Sequence, residues 1–284
     1  MLSSTTAKAR PIGGSATSAP GWSIKPGWDL LAVNQGLLYN PSFGYFIYAA
    51  VASGQTSYSA IQVLPNTSGG IAAYSPQGPV GSSQGWNSIA TQNGNINYLY
   101  MLYQYSSGSG VKPYIYRTSS SSGGNIYVGN TAGVVLKSMV MDPTDSFLYI
   151  TNQSGNAIWT CTLDGTMTSF VSVTSPNGIA IDLVSSNIYV GTNGSNVVKI
   201  TPAGTVTNYS TGTFTSPSAL AYDTRTGMLA VGDSSTGTVY AVSPSGSSVT
   251  IATGVGTLAG LAAYNGDFYI YDAAVGLKKI TVTY

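Results

Sequence analysis

The sequence predicts an all-β fold, a six-bladed β-propeller with four antiparallel strands per blade. Three observations predict it. A short apolar run ending in Asp or Asn recurs at Asp142, Asp182, Asp223 and Asn265, with spacings of 40, 41 and 42 residues. Each copy leads through the same sequel of turn, strand, loop, strand, turn and strand. Four short strands in a unit of about 40–45 residues make a propeller blade. No stretch carries the apolar period of an amphipathic helix.

The elements follow in order. Residues 1–29 read as an N-terminal arm, and 30–284 as the propeller. Blade one, about 30–80, starts from "GLLYN" ending at Asn40 and continues with "YFIYAA". Blade two, about 85–130, starts from "SIATQ" ending at Gln92 and continues with "YLYMLY". Blades three to six, about 134–173, 175–214, 216–256 and 258–284, start from "SMVMD", "GIAID", "ALAYD" and "GLAAYN". The turns between strands, such as "DPTDS" and "DTRTG", use Asp, Asn, Gly and Pro for their backbone angles. The strands are rich in Val, Ile, Thr and Tyr, which suit a pleated, half-buried surface. The sixth blade ends on its third strand, and an open sheet edge invites pairing with other chains. The arm is therefore expected to supply the last strand, from "GWSIKPG" at 21–27.

Composition narrows the function. Only 7% of residues are charged, against roughly 25% in an ordinary soluble domain. All nine acids are Asp, and the chain has neither Glu nor His. A net charge of +1 supplies no basic field for nucleic acid. No apolar run is long enough to span a bilayer, so no membrane insertion is expected. A hydrophobic share of 43% with 21 tyrosines argues for a packed core. Cys161 is the single cysteine; it reads as a small buried hydrophobe in an apolar strand. Few carboxylates and no imidazole imply a weak dependence of stability on acid. The N-terminus lacks the apolar core of a classical secretory signal.

The repeats resemble NHL-type propellers. "GIAID", "NIYV" and "VVKITPAG" carry the likeness. Where that pattern places Asp and, four residues on, Asn, this chain has Asn152/Asn156, Thr192/Asn196, Asp233/Gly237 and Asp272/Gly276. Ser175-Pro176-Asn177-Gly178 resembles a fragment of the SMP-30 (regucalcin-like) sugar-lactone hydrolases. The resemblance implies a divalent-metal role for Asn177, joined in that family by a Glu and an Asp from other blades. Asp233 and Asp272, at second-strand ends, are the carboxylates to test for it. The place equivalent to Asn177 in the next blade holds Ser218. Virginiamycin B lyase resembles this fold as well, but its chemistry depends on His. From the residues themselves, Asn177-Gly178 also reads as turn chemistry, and Asp142, Asp182 and Asp223 as turn-capping residues.

The expectation is a non-enzymatic structural or recognition propeller with no catalytic residue, cofactor or metal. Its partners would be other proteins of an assembly or envelope, and glycans. The composition resembles exterior proteins of thermoacidophilic archaea and their viruses, which implies an acid-stable, thermostable virion or cell-surface protein. Binding is assigned to Tyr98, Tyr100, Tyr103, Tyr105, Tyr114 and Tyr116, which crowd the second blade. Two alternatives stand beside this: a degenerate SMP-30-like metal-dependent lactone hydrolase, and a carbohydrate-binding module using the tyrosine faces.

Overall fold

The computed structural model describes residues 13–18, 28–30, 37–40, 45–52, 58–63, 71–74, 84–93, 98–107, 110–118, 123–129, 133–211, 214–256, 258–272 and 276–283. The described residues contain strands and no helix. They form six antiparallel sheets, five of four strands and one of five. The sheets span 28–74, 84–128, 136–172, 176–211, 217–252 and 258–283, and are called blades one to six here. In blade one, Leu37–Asn40 and Trp28–Leu30 both pair with Tyr45–Ala52. Inner strands touch their neighbours all the way round, and the sixth meets the first. The ring is closed.

A strand from the arm completes blade six. Gly13–Ser18 pairs antiparallel with Gly276–Thr283, from Gly13 opposite Thr283 to Ser18 opposite Lys278. The strand thus comes from earlier in the arm than expected, and residues 21–27 lie outside the described residues. Gly14 packs so close to blade five that a β-carbon there would sit 2.8 Å from the β-carbon of Ile251.

The core lies between blades. One cluster joins Ala219, Ala230 and Val239 of blade five to Leu261, Phe268 and Ile280 of blade six. Another joins Tyr149 and Ile158 of blade three to Ile179 and Val190 of blade four. The first two strands of these blades are buried on both faces, so their runs read as nearly continuous apolar stretches. The third and fourth strands are joined by a recurrent turn. In Thr162–Gly165, Thr201–Gly204 and Ser243–Gly246 the Gly N–H donates to the first carbonyl at 2.9 Å. Those glycines have φ of 95°, 82° and 84°, a conformation that disfavours a side chain.

Each described inner strand from blade two to blade six carries a bulge near its start. The register shifts between Trp86 and Ser88, Leu136 and Met139, Pro176 and Ile179, Pro217 and Ala219, and Leu258 and Gly260. A bulge re-aims side chains, and here it turns polar groups toward the next blade. Asn87 Nδ2 donates to the Leu136 carbonyl at 2.6 Å, and Met139 N–H donates to Ser88 Oγ at 3.1 Å.

Candidate functional site

Inner strands of all six blades surround one central cavity of about 480 Å³, within the usual range for small-molecule sites. Its wall is layered because equivalent residues of six repeats stand at equal height. The deepest layer holds Ile89, Met139, Ile179, Leu220 and Leu261. Leu38, Ala90, Val140, Ala180, Ala221 and Ala262 form the next. Then come Tyr39, Thr91, Met141, Ile181, Tyr222 and Ala263. The mouth adds Asn93, Leu183, Asp223, Thr224, Arg225 and Asn265, with Tyr264 beside them. Side chains are alkyl deep down and become aromatic, polar and charged toward the turns.

Hydrogen bonds between blades hold this mouth. Asn93 N–H donates to Asp145 Oδ1 at 2.6 Å, tying blade two to three. Thr224 Oγ1 donates to Asp182 Oδ1 at 3.1 Å, tying blade five to four. Arg225 Nη2 donates to the Asn265 carbonyl at 2.5 Å, tying blade five to six.

Three equivalent turn carboxylates are satisfied to different degrees. Asp142 accepts from Ser146 N at 2.6 Å, Phe147 N at 2.8 Å, Thr144 N at 2.9 Å and Thr144 Oγ1 at 2.5 Å. Asp182 accepts from Ser185 Oγ at 2.6 Å, Val184 N at 3.1 Å and Thr224 Oγ1. Asp223 has one short bond, from Thr226 Oγ1 at 2.6 Å, and two long ones, from Thr226 N at 3.3 Å and Arg225 N at 3.4 Å. Asp223 also lines the cavity, and with two of its three bonds at 3.3 Å or more it is the most weakly held of the three. Arg225 is the cation on the same wall.

Tyrosines complete the rim. Tyr39 lies 4.2 Å from the Tyr264 ring, and Tyr222 stacks on Tyr189 at 4.7 Å and 11°. Burial and then the hydrogen bond with Tyr264 raise the Tyr39 phenol above its ordinary range. Burial likewise raises Tyr222. Both hydroxyls are neutral donors at physiological pH.

The opposite mouth holds the residues singled out for metal. Asn177 is buried inside the strand Pro176–Ile181 rather than in a turn, and it is Ser175 that takes the positive φ, at 45°. The turn reading of Asn177 is thereby corrected. Its amide donates to Asn193 Oδ1 at 3.2 Å and Ser216 Oγ at 3.5 Å. Asp233 is fully buried and accepts from the N–H groups of Thr215 at 2.6 Å, Ser216 at 3.1 Å and Ser235 at 3.0 Å. Asp272 is buried and accepts from Gly256 N at 3.2 Å. Both carboxylates brace the loop that leads into their own blade. No group of three His, Cys, Asp or Glu side chains able to hold a metal occurs among the described residues. The chain has no Glu. A hard divalent cation asks for several oxygen ligands with free carboxylates among them, so this donor set does not fit the lactonase metal.

The tyrosine assignment is corrected in part. Tyr100, Tyr103 and Tyr116 are buried, at 0%, 1% and 7% exposure, and so are core residues. Tyr103 stacks on Tyr114 at 5.2 Å and donates to Asn125 Oδ1 at 2.9 Å. Tyr98 is 36% exposed, with the Arg117 guanidinium 5.2 Å from its ring centre. The Tyr105 side chain lies outside the described residues. Sequence reasoning passed over Tyr39, Tyr222, Tyr264 and Arg225. The signal was present, since Tyr39, Tyr222 and Tyr264 stand at the end of the inner run in three repeats and Arg225 follows one of them.

No protein-family model matches the chain, and no curated protein matches it. Solved structures do. A PQQ-bound aldose sugar dehydrogenase from Streptomyces coelicolor is similar at TM-score 0.65 and 13% identity, over 97% of this chain and 100% of that one. Virginiamycin B lyase from Staphylococcus aureus, as a catalytically inactive histidine-to-alanine variant with quinupristin, is similar at TM-score 0.62 and 16% identity, over 87% and 80%. A gluconolactonase from Xanthomonas campestris is similar at TM-score 0.58 and 13% identity, over 97% and 91%. A nidogen/laminin complex supplies another neighbour, at TM-score 0.63 and 15% identity over 76% and 82%.

These neighbours support the β-propeller fold. They also correct the expectation of a non-enzymatic structural protein, because a dehydrogenase, a lyase and a gluconolactonase share the architecture. They give no support to a virion or archaeal-exterior assignment, which rests on composition alone.

Proposed function

We propose that the chain is a hydrolase of small cyclic esters that uses Asp223 and Arg225 at the cavity mouth in place of a metal centre. One observation carries the reading: the cavity wall brings one under-satisfied carboxylate and one guanidinium to the mouth of an alkyl-lined channel. The lactonase-like neighbour adds support for a cyclic ester as the substrate class. In this reading Asp223 takes a proton from water, and the resulting hydroxide adds to the ring carbonyl carbon. The carbonyl electron pair moves to oxygen, and Arg225 faces that oxyanion. Collapse breaks the ring C–O bond, Asp223 returns the proton to the departing oxygen, and an open hydroxy acid leaves.

Exposed Tyr98 and half-buried Tyr114 stand outside the cavity and are the places for protein or glycan contact. The sparse carboxylates and missing imidazoles support an exterior location and a weak response of stability to acid.

A panel of aldonolactones and alkyl lactones, followed with and without a chelator, tests the reaction. Hydrolysis is expected to be insensitive to the chelator. Asp223→Asn is expected to lose about 10²–10⁴ in kcat, the usual worth of a general base, while keeping its melting temperature within a few degrees. Full activity in Asp223→Asn, or no hydrolysis of any panel member, overturns the proposal.

A further inference from the structure

We infer that the substrate of this site is amphiphilic, a cyclic ester bearing an alkyl arm rather than a polyhydroxylated sugar lactone. The inference rests on the cavity mouth being the substrate site.

The mouth is two-sided. Blades five, six and one contribute Asp223, Arg225, Tyr264 and Tyr39. Blades three and four contribute Met141, Ile181 and Leu183, which bring no polar side-chain group other than a thioether. Val184, the next residue in the same turn, is 80% exposed. A single exposed apolar residue is ordinary. Met141, Ile181 and Leu183, which line the cavity rim together, form the apolar lip.

The polar side takes the other end of the ligand. Among the described residues the ion pair found joins Lys279 to Asp267 at 2.7 Å. The Arg225 guanidinium bonds instead to a carbonyl, so its charge stays available to an oxyanion or to the carboxylate of the opened product. An alkyl arm on the lip leaves the ester carbonyl at Asp223 and Arg225. A sugar ring in the same pose sets hydroxyls against Leu183, Ile181 and Met141. Each hydroxyl buried without a partner costs on the order of tenfold in affinity.

The test reads binding, so it is separate from turnover. 2-Alkylcyclopentanones with arms of none to six carbons, which have no ester to cleave, are titrated calorimetrically into the full chain. Each added methylene is expected to tighten binding by up to about fourfold, equivalent to ~0.8 kcal/mol. Leu183→Ser/Val184→Ser, on a turn at the surface, is expected to keep its melting temperature. It should flatten the series and leave the armless probe unchanged. Equal affinity at every arm length, or an unaltered series in the lip variant, overturns the inference even if lactones are hydrolysed. A steep series with no hydrolysis sinks the reaction assignment and leaves an alkyl-bearing, amphiphilic ligand for the cavity mouth.

Discussion

At the scale of the residue, burial decides what each polar side chain can do. Cys161 is fully buried, which pushes its thiol up to about 12, with Asp164 adding to the shift. A thiol-reactive dye at pH 8 should therefore find no thiol in the folded chain and one in denaturant. Burial also pushes Tyr103 and Tyr269 up to about 12, from an ordinary value of 10.0. The sign follows from linkage. These groups lose their protons first in the unfolded chain, so stability is whole below about pH 9 and is lost progressively toward pH 12. Denaturant midpoints measured across that range should fall steadily; a flat profile would show that the phenols and the thiol are reached by water. The candidate site illustrates the same dependence. Asp142, Asp182 and Asp223 are one repeat position in sequence. Longer hydrogen bonds and a place on the cavity wall separate Asp223 from the other two turn caps.

At the scale of the element, the inner strand does two jobs. Its apolar run packs against both neighbours, and its end delivers the site residues. The run was legible in sequence because it repeats at a nearly constant spacing. The bulge at its start was not, since no residue type marks it: Asn87, Lys137, Asn177 and Ser218 hold comparable places. The second strand shows how blades fit. A β-carbon on Gly191 would sit 2.4 Å from the Pro217 carbonyl oxygen of the next blade. The corresponding place in blade three is Thr151, whose hydroxyl donates to the Asn177 carbonyl at 2.8 Å. Gly191→Ala should accordingly destabilise the chain by about 1–3 kcal/mol, as overpacking does. Chemical denaturation measures this directly, and an unchanged midpoint would show that the blades can part without cost.

At the scale of the whole molecule, closure is the governing constraint. The strand Gly13–Ser18 covers the free edge of Gly276–Thr283 and lies against blade five at Ile251. Removing residues 1–18 exposes that edge. A loss of about 3 kcal/mol would lower Tm by roughly 6–12 °C for a chain of this size, with aggregation on heating. Calorimetry with light scattering reads both. A truncated chain that melts like the full one would show that the ring holds without its last strand.

The sequence by itself determined the repeat, the number of blades and the need for a strand from the arm. These are properties of period and strand count, and both can be read along a line. It also determined which chemistries lack their residues, since no packing can supply a missing His or Glu. Only the tertiary structure decided which of three equivalent carboxylates is most weakly held, which tyrosines are core, and which mouth gathers charge. Those depend on what stands across the ring: residues about 40 positions apart become neighbours when successive blades pack, and the first and sixth blades meet when the circle closes. Asn177 changed meaning for that reason, from a possible ligand to a hydrogen-bonded joint between blades.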